Sequence, residues 1–120
     1  MKIEQVICQV LRLESVENKT ASSQDAVLVR VRTDTGLKGV GEADSSPEVV
    51  KAIIDAPFSH NVACGLREML IGENPMETER IWQKLCRGSQ YFGRSSVTIS
   101  AISAVDIALW DIKGKHFGEP

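Results

Sequence analysis

Between Lys2 and Leu13 apolar residues fall on both parities. Ile3, Ile7, Leu11 and Leu13 share one, broken by Gln5 and Gln9, while Val6, Cys8 and Val10 share the other. A period of two marks a strand, and two partly apolar faces predict a strand covered on both. Glu14 to Gln24 is polar and rich in Ser, Asn and Thr, and reads as a long hairpin loop. It exceeds the usual two to five residues or so, and long loops in compact domains are often functional. A second strand is predicted over Asp25 to Thr33 and a third over Leu37 to Glu42. Asp34-Thr35-Gly36 between them is a tight turn, because Gly36 takes a positive φ without steric cost. Gly39 and Gly41 weaken the third strand unless another backbone approaches closely there. The expectation is a three-stranded antiparallel meander.

After Glu42 the period becomes helical. Ser46 is placed to cap a helix with Pro47 at its first position, where no backbone N–H is needed. Val49, Val50, Ile53 and Ile54 form its apolar stripe, and Ala56-Pro57 ends it. A second short helix is expected over Val62 to Leu70, closed by Gly72. Asn74-Pro75-Met76-Glu77 resembles a capping box, so a third helix is predicted from there to about Arg87. Ile81, Trp82 and Leu85 form its inward stripe.

The last helix, from near Ser96 past Ile112 towards Gly114, differs in kind. Val97, Ile99, Ile102, Val105, Ile107, Leu109, Trp110 and Ile112 point in every direction. A helix apolar all round is normally buried on all sides. Three short strands and three modest helices are too few to wrap it. The chain therefore reads as the first part of something larger, whose remainder packs on this helix.

The 120 residues carry a net charge of −2, with 42% hydrophobic and 25% charged residues. That balance fits one folded domain and not intrinsic disorder. It argues against nucleic acid as a partner, which usually requires a basic surface. No stretch approaches the roughly 20 apolar residues of a membrane span, so no membrane partner is expected. Met1-Lys2-Ile3-Glu4 lacks the apolar region of a signal peptide. Cys8, Cys64 and Cys86 are widely spaced and odd in number, which points to a reducing, cytoplasmic setting.

Several features suggest chemistry and are better explained by structure. Gly36, Gly39 and Gly41 lack a helix opening directly from them, which a phosphate cradle needs, and are read as turn and close packing. His60 and Cys64 are four apart, but Cys8 and Cys86 add no zinc-like spacing. Asp106 and Asp111 in the last helix need partners if buried, and are read as structural. Tyr91, Phe92 and Arg94 before that helix suit a subunit or domain contact better than a substrate clamp.

The run from Ala101 to Lys115, with Asp106, Trp110, Asp111 and Gly114 inside it and Pro120 beyond, resembles the signature of the mandelate racemase and muconate lactonizing enzyme group of the enolase superfamily. Val27 to Ala43 resembles that group's hairpin, and Leu70 to Pro75 followed by Ile81-Trp82 its third helix. The resemblance implies an α+β N-terminal capping domain over 1–120. Residues 1–44 would form the meander, and 45–120 a helical part of three to four helices leading to a (β/α) barrel absent from this chain. That barrel, typically about 250 residues, would carry the Mg²⁺ ligands and the bases. The reaction implied is abstraction of a proton α to a carboxylate, with Mg²⁺ stabilising the ene-diolate. No catalytic residue and no metal ligand is assigned to this chain.

By the same resemblance, two loops would close over the barrel mouth: Glu14 to Gln24, and Asp44-Ser45-Ser46-Pro47. Closure excludes water and strengthens electrostatics at the metal. The first loop contains no Phe, Trp, Tyr, Leu or Ile. Lys19, Thr20, Ser22 and Ser23, with Asp44, Ser45 and Ser46, are the substrate-binding candidates; in the first loop Glu17, Asn18, Lys19, Thr20, Ser22, Ser23 and Gln24 suit a hydroxylated substrate better than an aromatic one. The expected function is therefore the capping and specificity domain of an acid-sugar dehydratase. The alternatives are a racemase or cycloisomerase of the same group, or a free-standing non-catalytic α+β binding module. The expected partners are the C-terminal barrel, a small carboxylate substrate such as a sugar acid, and further copies in a homo-oligomer.

Overall fold

The alternation read from the sequence becomes a three-stranded antiparallel sheet in the computed structural model, which describes residues 1–17, 24–60 and 63–120. Strands β1 (Ile3–Arg12), β2 (Asp25–Thr33) and β3 (Lys38–Ala43) lie in the order β1-β2-β3. Four helices follow: α1 (Pro47–Asp55), α2 (Leu66–Leu70), α3 (Thr78–Gly88) and α4 (Val97–Phe117). Helices α1, α2 and α4 pack on one face of the sheet, and α3 packs on α2 and α4. Val6, Cys8, Val27, Val29 and Val31 are buried beneath them with Val50, Ile54, Leu66, Leu70, Ile81 and Leu85. Burial pushes the Cys8 thiol up to about 11, so it packs as a neutral group.

The opposite face of the sheet is open, contrary to the expectation that β1 is covered on both sides. The register of β1 on β2 shifts between Ile3 and Gln5. Ile3 thereby joins Val6 and Cys8 inside, while Ile7 and Leu11 are exposed. A one-residue slip moves every following side chain to the other face.

Both sheet edges are sealed. At the β1 edge, Ile3 exchanges backbone bonds with Gly72 (2.9 Å) and Glu73 (2.8 Å). Arg67 Nε donates to the Val6 carbonyl (2.9 Å), and Lys51 Nζ to the Cys8 carbonyl (2.9 Å). Asp55 lies between these two cations and pairs with both. At the β3 edge the Val40 N–H donates to Asp111 Oδ2 (2.9 Å), and Lys115 Nζ donates to the Lys38 carbonyl (2.8 Å) and to Asp111 Oδ2 (2.7 Å). Unpaired strand edges invite further strand pairing, and these side chains occupy the exposed groups.

Three helix boundaries differ from the pattern reading. Helix α2 starts at Leu66, because His60 and Ala63 form a bridge and keep the preceding backbone extended; Val62 lies outside the described residues. Helix α3 starts at Thr78, since Asn74 Oδ1 accepts the Met76 N–H (3.1 Å) and closes a turn where a capping box was expected. Helix α4 runs through Gly114 and ends at Gly118 (φ 71°), whose left-handed backbone terminates it.

Candidate functional site

In a meander, alternate connections share one end. Arg12 pairs with Asp25, and Val27 with Ala43, so the loop after β1 and the segment after β3 leave the sheet at the same end. Helix α4 is aligned with that end by β3. A Cβ on Gly41 would lie 1.9 Å from the Ala104 carbonyl oxygen, and one on Gly39 would lie 1.9 Å from that of Ala108. The helix and β3 therefore touch backbone to backbone and run antiparallel. The N-terminus of α4, with Ser96 at φ 53°, points towards the loop end. These glycines serve close packing, as read from the sequence.

The described parts of the two loops are tied together by polar groups. The Arg12 guanidinium stands 3.7 Å from Asp25 and 3.6 Å from Glu48 in the first turn of α1. It thus links the hairpin to the segment after β3. The Leu13 N–H donates to the Gln24 carbonyl (2.9 Å), extending the ladder past β1. Beyond it, the Glu17 N–H donates to Gln24 Oε1 (2.6 Å) and Gln24 Nε2 donates to the Glu17 carbonyl (2.7 Å). Asp44 and Ser46 are exposed and Ser45 is half-buried. Ser46 is the N-cap of α1 with Pro47 following, but its hydroxyl makes no capping bond; the Ser46 carbonyl accepts the Val50 N–H (3.0 Å). Lys19, Thr20, Ser22 and Ser23 lie outside the described residues. The sequence reading missed Arg12. An arginine and an aspartate flanking a hairpin loop were the available signal for Arg12; Gln24 was read only as one of the polar loop residues suited to a hydroxylated substrate, without its bonds to Glu17.

The remaining candidates are structural in position. Asp111 seals β3 as described. Burial works against its charge, but the Lys115 and Val40 hydrogen bonds and the Lys115 charge hold its carboxyl below the usual range. Asp106 is half-buried; burial, and then the Glu79 charge, push its carboxyl up against a hydrogen bond from Trp110. His60 and Cys64 do not share a helix face, and the His60 ring meets Tyr91 edge-on at 5.5 Å. Tyr91 and Phe92 are exposed in the turn before α4. Among the described residues no group of three or more His, Cys, Asp or Glu side chains comes together as a metal site, so this part of the chain does not fit a Mg²⁺ centre.

Helix α4 has two unlike sides. Ala101, Ile102, Ala104, Val105, Ala108, Leu109 and Ile112 are buried against the sheet and the other helices. Ile107 (51% exposed), Trp110 (54%) and Phe117 (65%) face outward, with Lys113 over the Trp110 ring at 4.6 Å. Among the described residues nothing wraps this side of the helix completely.

Comparison with known proteins is decisive at this point. The profile of the family described as "Mandelate racemase / muconate lactonizing enzyme, N-terminal domain" matches residues 2–120. The chain belongs to this family. Among similar curated proteins are a "D-galactonate dehydratase family member" of Pseudarthrobacter chlorophenolicus and a "D-mannonate dehydratase" of Rhizorhabdus wittichii. They are 41% and 40% identical over 101 residues, which is 84% of this chain and 23% of each relative. A "D-galactarolactone cycloisomerase" of Agrobacterium fabrum is 37% identical over 92 residues, 77% of this chain and 22% of the relative. The chain thus spans less than a quarter of the length of these relatives. A racemase structure from Streptomyces coelicolor with bound magnesium superposes with a TM-score of 0.77 and 31% identity, over 96% of this chain and 32% of that one. The 3,6-anhydro-D-galactonate cycloisomerase of Zobellia galactanivorans gives 0.75 and 31%, over 98% and 29%. The mandelate racemase/muconate lactonizing enzyme fold of the N-terminal domain accounts for the meander, the helical part and their order. No helix among the described residues is long and apolar enough to cross a membrane.

Proposed function

We propose that residues 1–120 are the capping and specificity domain of a cytoplasmic lyase or isomerase. In this reading the rest of the protein is a (β/α) barrel that packs on the open side of α4 and holds Mg²⁺ and the bases. When bound there, Mg²⁺ would stabilise the negative charge that develops on a substrate carboxylate as its α-proton leaves. The contribution of this chain is different. Its two loops bracket one end of the sheet, and that shared end is the observation that carries the reading. Lys19, Thr20, Ser22, Ser23, Asp44, Ser45 and Ser46 supply hydrogen-bonding groups suited to the hydroxyls of a sugar acid. They orient it and exclude water without touching the reacting carbon.

Dehydration of an acid sugar is favoured by the names of the similar dehydratases and by the polar character of the loops. Loss of the α-proton and the β-hydroxyl leaves an enol that tautomerises to a 2-keto-3-deoxy acid. The second reading, cycloisomerisation, is supported by the two cycloisomerase relatives. The test uses the full-length protein with D-galactonate, D-mannonate and D-galactarolactone, with and without Mg²⁺. Mg²⁺-dependent loss of one water supports the dehydratase. A product of unchanged mass supports the isomerase. No turnover of any sugar acid, with either result for metal, overturns the substrate class. Within an active enzyme, Ser45→Ala with Ser46→Ala, or Ser22→Ala with Ser23→Ala, should lower kcat/KM about tenfold or more while leaving Tm nearly unchanged. Altered Tm with unchanged kcat/KM would remove the loops from the site.

A further inference from the structure

The open face of the sheet is graded in two directions. Lys38, Val40 and Glu42 of β3 point there, because Gly39 and Gly41 between them face α4. Along β3 the face therefore runs from a cation at the turn end to an anion at the loop end, with exposed Asp44 just beyond. Across the sheet it runs from these charges to aliphatic groups. Val40 stands in one row with Arg30 of β2 and Ile7 of β1. Ile7 is 41% exposed, and Leu11, further along the same strand, 43%. Arg32 is paired with Glu4 at 3.0 Å, whereas the Lys38, Arg30, Glu42 and Asp44 side chains have no charged partner among the described residues.

We infer that this face pairs with the same face of a second copy, about a two-fold axis lying across the strands. A two-fold contact uses one patch twice, so the patch must complement itself under the rotation. An axis along the strands would set the aliphatic β1 against the charged β3 and leave the cationic ends over each other. The axis across the strands keeps β1 on β1 and β3 on β3 and reverses their ends. The aliphatic side chains of β1 then meet those of the other copy. Lys38 meets Glu42 of the other copy twice over, flanked by Arg30 and Asp44. Stacked sheets lie about 10 Å apart, which these side chains can fill. The barrel proposed above covers α4 on the helical side of the domain, so this face is turned away from it; its being free rests on that reading. The patch is about 20 Å long from Lys38 to Asp44 and about 15 Å wide across three strands. That is below a standard interface, so the association should be reversible and sensitive to salt.

Sedimentation of the full-length protein over about 1–100 µM reads the association. Lys38→Glu sets acids against acids and Glu42→Lys cations against cations, so each should weaken the wild-type association about tenfold or more. An equimolar mixture of the two variants should restore it to within about threefold of wild type, because the acidic face of one then meets the basic face of the other. Glu68→Lys, the same charge change on α2 away from this face, should alter nothing. Reversals that leave the wild-type mass unchanged overturn the pairing. A mixture that stays dissociated overturns it too, since reciprocal contact of one face requires the rescue. Reversals that lower Tm without changing the mass would show that the rest of the protein covers this face; that also overturns the pairing, and leaves the covering of α4 to its own test.

Discussion

The two sides of α4 obey different rules. Towards β3 the helix presents Ala104 and Ala108, and the strand answers with Gly41 and Gly39, so the backbones meet with no side chain between them. Away from the sheet the same helix presents Ile107, Trp110 and Phe117 to the open. The first side is finished within these residues, and even a methyl group would not fit. The second is largely open apolar surface, met among the described residues by Lys113 over the Trp110 ring. Burying such surface stabilises by about 25 cal/mol per Å², so a larger protein has reason to cover it. One helix thus holds its own domain together on one side and leaves apolar surface open on the other.

The largest effect should come from breaking the finished side. Gly41→Val places carbon where the Ala104 carbonyl oxygen stands. It should destabilise the protein by at least about 3 kcal/mol in denaturant unfolding, because a backbone cannot yield as a side chain does. A loss below about 1 kcal/mol would mean that α4 does not sit on β3 as described.

A smaller effect is expected at the pin along the same seam. Asp111→Asn removes the charge facing Lys115 and weakens the acceptor for Val40. The cost should be about 1 kcal/mol at neutral pH, given a partly exposed site. The pH dependence follows from the carboxyls of Asp111 and Glu73, the latter held low by Arg80 and Lys84. A folded-state pKa below the unfolded value means that the unfolded chain binds the proton more readily. The contribution is therefore complete above the ordinary carboxyl range, about pH 4, and is lost as pH falls below it. Asp111→Asn should make that acid decline shallower, which urea midpoints at several pH values would measure.

The smallest effect is a gain. Ser96 stands at φ 53° at the entrance to α4, backbone that side chains rarely adopt. Ser96→Gly should raise stability by about 0.5–1 kcal/mol, the relieved strain exceeding the added freedom of the unfolded chain. A loss would indicate that the serine side chain holds this turn.

The sequence made some of this legible and concealed the rest. The period of two and the Asp34-Thr35-Gly36 turn located all three strands within one residue at each end. The clustering of Ile, Val, Leu and Trp around α4, without a polar side, marked it as a helix with more surface than its own domain covers. What failed was decided by single local bonds. The shift between Ile3 and Gln5 exposed Ile7 and Leu11, and Asn74 spent its side chain on a turn. Gly114 looked like a stop, but the left-handed position that ends the helix falls at Gly118. At the candidate site the resemblance implied that the two loops act together, and the strand register puts their bases at one end of the sheet. The bonds that frame them, from Arg12 and Gln24, depend on side-chain reach that no period encodes.

The account is tested most directly by the surroundings of Trp110 in the full-length protein. With Trp82→Phe in place, Trp110 is the only indole from residues 1–120, and residue-specific labelling distinguishes it from any others. Its acrylamide quenching should be several-fold slower than that of free indole, because the rest of the protein covers the open side of α4. Quenching at the rate of free indole would show that this side stays bare, and would contradict the account.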